Sequence, residues 1–230
     1  IIPELARKRG DFHIIHKVVL TQGCPESLLA ERLEDWEGSL PEQIALAYLP
    51  SPGLIKLRLT AKGNDKKLLE NLIHDNIEKL KKIIPEIIFG YDSEKLEEAI
   101  GKSLIDKNKT ISTAESCTGG NIAHLITSIA GSSAYFKGGV VAYSNDIKKN
   151  VLKVNNSNID TYGAVSKQVV EDMALGVLSL YDTDFAVATS GIAGPTGGTK
   201  EKPVGTTWIA VANKSQVISE KYIFGEHCVS

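Results

Sequence analysis

The sequence predicts an α/β protein of two domains, a small βαββαβ domain followed by a three-layer α/β/α domain with a mixed sheet. Two observations favour this fold class. The chain has 230 residues, more than an average domain needs, and 42% of them are hydrophobic, so a buried core is expected. Segments of the first 90 residues follow the order βαββαβ, whereas helical and apolar strand-like segments alternate after residue 91.

The first domain is predicted over residues 1–90, with the charged stretch before Gly10 as the remnant of a preceding domain. Its predicted elements are a strand at 12–21, a helix from Pro25, a hairpin of 44–49 and 54–60, a helix capped by 64–65 and closed by Pro85, and a strand at 87–89. This order is that of a ferredoxin-like sandwich or of its relative, the KH-type module. The first 90 residues contain no GxxG loop of the kind with which KH modules clamp a nucleic-acid backbone.

The second domain is predicted over residues 91–230, with the joint at 90–92. Ser93 is expected to cap a helix whose inner face is Leu96, Ile100 and Leu104. The further predicted elements are strands at 110–114, 139–143 and 185–190, helices at 119–130, 145–153 and 166–181, and a hairpin of 206–212 and 216–224. Because helices alternate with buried strands, we expect a ligand crevice beyond the carboxyl ends of the strands.

Charge and cysteine content argue against several functional classes. The formal net charge is -2, and the first 90 residues contain 13 basic and 13 acidic side chains, so a nucleic-acid partner is not indicated. Cys24, Cys117 and Cys228 form no CxxC pair, which argues against a disulfide framework and a zinc site. Since there is no apolar stretch of about 18 residues and no signal peptide, we expect a cytoplasmic protein without a membrane partner.

The segment AESCTGG, residues 114–120, follows a predicted strand and opens a predicted helix. Ser116, Cys117 and Thr118 offer short nucleophilic or hydrogen-bonding side chains, and Gly119 lets the backbone approach a ligand. Free N–H groups at a helix start attract negative charge. We interpret the segment as part of a small-molecule active site, although a plain helix cap with a glycine turn has the same pattern.

Tyr143 and Lys148 lie at and just beyond the end of the predicted strand 139–143. A lysine beside a serine hydroxyl accepts its proton in Ser-Lys catalysis, which needs neither histidine nor aspartate. This role requires a lowered pKa of the lysine, and hence burial or a nearby cation. The alternative is a solvated surface lysine beside Lys149 and a half-buried tyrosine.

The loop 190–205 follows the most apolar predicted strand and contains five glycines and two prolines. It matches neither the Walker A pattern nor GxGxxG. Backbone N–H groups around Gly191 and Gly194 are expected to form a nest for an anion. A flexible surface loop is the alternative interpretation.

Five segments follow one another in an order that is specific for one family: AESCTGG, IAGSSAYFKGGVVAYSNDIK, YGAVS, SGIAGPTGG and EKPVGT. In these segments the chain resembles the C-terminal domain of the CinA family, and its first 90 residues resemble the KH-type middle domain of the longer CinA proteins. The resemblance implies a bacterial nicotinamide mononucleotide deamidase of pyridine nucleotide salvage. It also implies a small nucleotide as substrate, no cofactor or metal, and a homodimer.

Carried over by motif, the resemblance makes Ser116 the nucleophile and Tyr143 and Lys148 the residues that activate it. Attack on the amide carbon then gives an acyl-enzyme that water hydrolyses. Backbone N–H groups at the helix start, together with Thr118, are the expected oxyanion hole. The residues assigned to oxyanion and substrate binding are Cys117, Thr118, Gly119, Ser133, Ser190, Gly191, Gly194 and His227.

The chain departs from the family pattern at FGEHCVS, where family members commonly have a Gly-Asp-Arg element and a final helix. His227 stands at the position expected for the arginine, so a weaker grip on the substrate phosphate is expected. Without its last helix, the second domain is also expected to expose apolar sheet surface.

Two other hypotheses remain open at the level of the sequence. In the first, the chain is a non-catalytic module of the competence or damage-inducible type that binds a nucleotide or nucleic acid. In the second, Cys117 replaces Ser116 as the nucleophile. Adjacent residues at a helix start point about 100° apart, so only one of the two side chains faces the crevice.

Overall fold

A computed structural model of the chain describes residues 12–51 and 53–224. The chain divides into two compact units between Ala99 and Ile100. The predicted class is confirmed: a small sheet domain of βαββαβ order is followed by an α/β domain with a mixed sheet. Within the described residues, no helix is both long enough and apolar enough to cross a membrane.

The first unit contains one four-stranded antiparallel sheet. Its elements are β1 (His13–Gln22), α1 (Glu26–Gly38), β2 (Ile44–Ser51), β3 (Leu54–Gly63), α2 (Lys66–Ile83) and β4 (Ile88–Tyr91). The strand order is β2-β3-β1-β4, so β3 lies between the two strands that α1 connects. This is the split βαβ arrangement of a ferredoxin-like sandwich.

Local sequence explains how the long helix α2 begins and ends. The side chain of Asp65 accepts a hydrogen bond from the N–H of Leu68 at 3.0 Å, which satisfies one of the unpaired donors of the first turn. The helix ends at Ile83, two residues before Pro85, because a proline disfavours helical backbone in the residue before it, and Ile84 has left the helix with φ -131° and ψ 47°. Leu80 on its inner face is fully buried in the core of the unit.

The second unit is built on a five-stranded mixed sheet. The elements that follow β4 are α3 (Leu96–Asp106), β5 (Ile111–Glu115), α4 (Asn121–Thr127), a 3₁₀ turn (Ser132–Ala134), β6 (Phe136–Val141), α5 (Asn145–Asn150), α6 (Asn156–Tyr162), α7 (Lys167–Tyr181), β7 (Phe185–Gly191), β8 (Thr206–Asn213) and β9 (Val217–Ile223). The strand order is β6-β5-β7-β8-β9. Strand β5 runs parallel to both β6 and β7, so the carboxyl ends of these three strands meet at one edge.

Helices cover both faces of this sheet. On one face, α7 packs Met173 and Val177 against alanines of the strands, such as Ala114 and Ala188, and all of these residues are fully buried. The small alanine side chains let the helix lie close to the sheet. The opposite face has a smaller core that includes Leu104 from α3 and Ile126 from α4.

Several predicted helix boundaries were wrong. Helix α3 begins at Leu96 and not after Ser93, and Leu96 and Ile100 of its expected inner face are exposed. Helix α4 begins at Asn121 because Gly119 (φ +61°) and Gly120 (φ +100°) adopt left-handed backbone that cannot continue a helix.

The region between β6 and α7 contains two short helices where one was predicted. The cap of α5 is Ser144, whose hydroxyl accepts from the N–H of Ile147 at 3.3 Å. The predicted helix to residue 153 stops at Asn150, and Lys153 has a φ of +58°, which ends any helical run there. Helix α6 was not predicted.

Apolar side chains lie exposed on the sheet face of β8 and β9 that is turned away from α7. Val211 is paired with Ile218 across these strands, and both are exposed, as is Tyr222. This agrees with the expectation of exposed apolar sheet surface in the second unit.

Candidate active site

The candidate site lies where the three parallel strands end. Ser116 directly follows β5, and its N–H donates to the carbonyl of Thr189 in β7 at 3.0 Å. Ala142 directly follows β6, and its N–H donates to the carbonyl of Glu115 at 2.7 Å. The ends of β5, β6 and β7 are therefore joined by backbone hydrogen bonds beside the crevice that the sheet topology predicts.

Lys148 reaches into this edge from helix α5. Its Nζ lies 3.1 Å from the Oγ of Ser116, 2.6 Å from the carbonyl oxygen of Ala142 and 3.5 Å from that of Tyr143. Only 1% of Lys148 is exposed, and Ser116 is buried too. The interpretation of Lys148 as a solvated surface residue was therefore wrong, and its side chain is placed next to the predicted nucleophile.

The surroundings of Lys148 favour its neutral form. Burial lowers the pKa of the Lys148 ammonium from its ordinary value of 10.5, and the nearby Cys117 thiol acts in the opposite direction. Among the described residues, no carboxylate lies within ion-pairing distance of Nζ. A neutral amine has two N–H donors and one lone pair, which matches two carbonyl oxygens and one hydroxyl. The arrangement suits a lysine that accepts the proton of Ser116.

Tyr143 is placed differently from the prediction. Its backbone carbonyl lies near Lys148, but its side chain is 77% exposed. The phenol makes no hydrogen bond to any residue in the described ranges, and therefore none to Ser116 or Lys148. The structure brings Ser116 and Lys148 together and leaves the phenol of Tyr143 exposed to solvent.

The predicted oxyanion hole at the start of α4 requires a correction. The carboxylate of Glu115 accepts hydrogen bonds from the N–H groups of Gly120 (3.1 Å), Ile122 (3.0 Å) and Ala123 (2.8 Å). Glu115 also accepts from the hydroxyl of Thr118 at 2.7 Å. These donors are occupied because a buried carboxylate from the same chain lies where an anionic ligand was expected.

Cys117, Gly119 and Gly191 lie around the turn that follows Ser116. The N–H of Gly119 donates to the carbonyl of Ser116 at 3.2 Å, which closes the turn. A Cβ atom on Gly191 would lie 2.9 Å from the Sγ of Cys117 and 2.8 Å from the carbonyl oxygen of Thr206. Only glycine at the end of β7 allows the two segments to approach this closely.

The predicted phosphate-binding residues have different surroundings. Ser190 is buried, and its hydroxyl donates to the carbonyl of Ala164 at 2.8 Å, so it supports the chain and does not face the crevice. Ser133 is exposed on the 3₁₀ turn. Gly194 lies against the side chain of Val204 within the loop 190–205. His227 lies outside the described residues.

Sequence reasoning missed Lys202, which anchors the loop 190–205. Its Nζ donates to the carbonyl oxygens of Tyr162, the last residue of α6, at 2.6 Å and of Val165, between α6 and α7, at 2.7 Å. The ends of the loop are joined, since the N–H of Ile192 donates to Thr206 and its carbonyl accepts from Gly205, each at 2.8 Å. The loop is therefore held at its ends and at Lys202.

Family comparisons match both units. The family model of the CinA C-terminal domain matches residues 93–230, and that of the KH domain of damage-inducible protein CinA matches residues 16–90. A CinA-like protein of Flavobacterium psychrophilum is 50% identical over 98% of this chain and 54% of its own length. A CinA-like protein of Cytophaga hutchinsonii is 49% identical over 91% of this chain and 50% of its own length. The chain thus spans about half the length of the curated relatives it matches.

Solved structures match part of the chain. The competence/damage inducible protein CihA from Agrobacterium tumefaciens aligns with a TM-score of 0.56 and 42% identity, over 57% of this chain and 80% of its own. The competence damage-inducible protein A from Klebsiella pneumoniae aligns with a TM-score of 0.54 and 38% identity, over 56% of this chain and 80% of its own.

Proposed function

The chain belongs to the CinA family, and on this premise we propose that it hydrolyses the carboxamide of nicotinamide mononucleotide to nicotinate mononucleotide and ammonia. The observation that carries this proposal is the buried contact of 3.1 Å between the Nζ of Lys148 and the Oγ of Ser116. The chain spans about half the length of its curated relatives. The deamidase activity is therefore proposed both for this chain and for the longer proteins of the family.

Ser116 attacks as the nucleophile. The neutral amine of Lys148 accepts the hydroxyl proton of Ser116 while Oγ forms a bond to the amide carbon of the substrate. The resulting ammonium is stabilised by the carbonyl oxygens of Ala142 and Tyr143, which lie 2.6 and 3.5 Å from Nζ. The negative charge moves to the former amide oxygen.

The tetrahedral intermediate then loses ammonia. The C–N bond breaks, the leaving nitrogen takes a proton, and an ester remains on the Oγ of Ser116. Tyr143 is the residue we assign to this proton transfer, because its exposed phenol is accessible to a bound substrate. The Tyr143 phenolate then regains a proton from solvent and the Lys148 ammonium releases one to solvent, so both residues return to their starting forms. Water attacks the ester while the neutral Lys148 takes its proton, and Lys148 returns this proton to Oγ as the C–Oγ bond breaks and Ser116 is restored.

The oxyanion needs donors other than those that Glu115 occupies. The N–H of Thr118 makes no hydrogen bond in the described part of the chain, and it lies two residues after the nucleophile. We assign this N–H to the oxyanion, in place of the N–H groups of Gly120, Ile122 and Ala123. Removal of one such donor typically costs about 10²- to 10³-fold in rate.

The proposal is tested by incubating the protein with nicotinamide mononucleotide and quantifying ammonia and nicotinate mononucleotide. We expect equal amounts of both products, loss of activity in Ser116→Ala, and unchanged activity in Ser179→Ala. Ser179 is an exposed serine of α7 and serves as the matched control. If the wild-type protein releases no more ammonia than Ser116→Ala, the proposed function is wrong.

A further inference from the structure

Glu115 is a buried carboxylate next to the proposed nucleophile. It is 1% exposed, and no lysine, arginine or histidine of the described residues lies within ion-pairing distance of it. Its charge is instead satisfied by three backbone N–H groups at the start of α4 and by the hydroxyl of Thr118. A buried charge held by four donors fixes those donors in one arrangement.

Glu115 connects three structural elements. Its backbone carbonyl accepts from Ala142, the residue whose own carbonyl binds the Nζ of Lys148. Its side chain holds the start of α4, and it directly precedes Ser116 in the chain. Glu115 therefore contacts the segment that holds Ser116 as well as Ala142, which binds Lys148. The position of Ser116 relative to Lys148 depends on these contacts.

The hydroxyls of Thr118 and Thr189 extend this network to β7. A threonine hydroxyl has a single proton, so when Thr118 donates to Glu115 it must accept from Thr189, whose Oγ1 lies 2.7 Å away. The carbonyl of Thr189 in turn accepts the N–H of Ser116. The turn from Ser116 to Gly120 is thus held between Glu115 and β7.

We propose that Glu115 is a positioning residue for the reaction at Ser116, an inference that rests on the proposed function. The side chain of Glu115 contacts the start of α4, whereas the hydroxyl of Ser116 contacts Lys148. Glu115 therefore acts on the reaction through the backbone of the turn. It also occupies three N–H groups at the start of α4.

The sharpest variant is Glu115→Gln, which keeps the shape of the side chain. A glutamine amide has one acceptor oxygen and presents an NH₂ group to donors that the second carboxylate oxygen had satisfied. The turn should loosen without losing its core contacts. Because a misplacement of about 1 Å can cost about 10²-fold in rate, we expect kcat to fall at least tenfold while KM stays within about threefold.

Two further variants serve as controls for this test. Thr118→Val removes one of the four bonds to Glu115 and should lower kcat in the same direction by less, even if Glu115→Gln folds poorly. Glu171→Gln is the matched control, because Glu171 is a carboxylate of α7 that accepts from the hydroxyl of Ser219 at 2.7 Å, remote in the chain from the turn. It should keep the wild-type kcat.

A second readout separates positioning from both stability and the identity of the substrate. We would measure the rate at which a fluorophosphonate acylates Ser116, by peptide mass spectrometry, at a temperature where circular dichroism shows every variant folded. Positioning predicts slower labelling in Glu115→Gln. If wild type lacks deamidase activity but the labelling difference persists, only the proposed function fails. Unchanged kcat and unchanged labelling in folded Glu115→Gln would overturn the inference.

Discussion

The Nζ atom of Lys148 lies 3.1 Å from the Oγ atom of Ser116, although the two residues are 32 positions apart in the chain. Lys148 has no carboxylate partner among the described residues, and two backbone carbonyls are its other neighbours. A lysine is rarely buried in this way without an ion pair. Burial of a charged ammonium costs free energy. This cost is explained if the function of Lys148 requires the neutral amine, which burial favours.

Replacement of Lys148 is expected to slow the reaction strongly. In Lys148→Met the proton acceptor is lost, and kcat should fall about 10³-fold, within the range that general bases contribute. Lys148→Arg should fail as well, because a guanidinium stays charged at every accessible pH. Both variants are assayed for ammonia release after circular dichroism has shown that they fold. A Lys148→Met variant with nearly wild-type kcat would exclude Lys148 as the base.

The reaction should accelerate as the pH rises. Burial lowers the pKa of Lys148 below 10.5, and only its neutral form accepts the proton of Ser116. Activity is therefore absent well below the lowered pKa and increases as pH passes through it, before ordinary lysines titrate. The measurement is kcat/KM against pH, with the residual activity of Lys148→Met as control. A wild-type profile without this rising limb would contradict the assignment.

Tyr143→Phe should separate catalysis from stability. The phenol is exposed and makes no hydrogen bond within the described ranges, so the free energy of unfolding should change by less than about 0.5 kcal/mol. If the phenol transfers a proton to the leaving nitrogen, kcat should fall about 10²-fold. Tyr162→Phe, a change at another exposed tyrosine, is the control. An unchanged kcat in Tyr143→Phe would remove the phenol from the mechanism.

Lys202→Met should weaken substrate binding more than it slows chemistry. The variant removes two charged hydrogen bonds, to the carbonyls of Tyr162 and Val165, that tie down the loop 190–205. We expect KM to rise about tenfold, the equivalent of one such bond at about 1.4 kcal/mol, with kcat nearly unchanged. Lys200→Met, at an exposed lysine of the same loop, is the control. Equal KM values for both variants would show that the anchor has no role in binding.

Much of this site follows from the sequence because polar segments after buried parallel strands converge at one edge of a sheet. That rule placed Ser116 and Lys148 in one crevice, and the structure brings them within hydrogen-bond distance. The order βαββαβ likewise predicted the four-stranded sheet of the first unit. Both inferences depend on chain order and periodicity, which a sequence displays directly.

The role of Glu115 was not predictable in this way. Glutamate is usually exposed, so a glutamate at the end of a strand gives no indication that the side chain of Glu115 is buried beside Ser116. The carboxylate oxygens of Glu115 accept hydrogen bonds from N–H groups as far along the chain as Ala123, and these hydrogen bonds depend on where α4 begins. Two left-handed glycines, Gly119 and Gly120, delay the helix to Asn121 and leave its first N–H groups to the carboxylate. A Glu that precedes a glycine pair by a few residues is the signal to look for.

The orientation of Tyr143 was equally inaccessible from the sequence. A tyrosine at a strand end points inward or outward according to how the chain leaves the strand. Here Ser144 caps α5 directly after it, and the chain turns so that the backbone of Tyr143, and not its ring, lies beside Lys148.

The most direct test of the account is to trap the acyl-enzyme. The protein is mixed with nicotinamide mononucleotide, quenched in acid during turnover, digested and analysed by mass spectrometry. The account predicts a nicotinate mononucleotide ester on the Oγ of Ser116, absent in Ser116→Ala and formed much more slowly in Lys148→Met. Turnover without any such ester, or an adduct on Cys117 in its place, would contradict it.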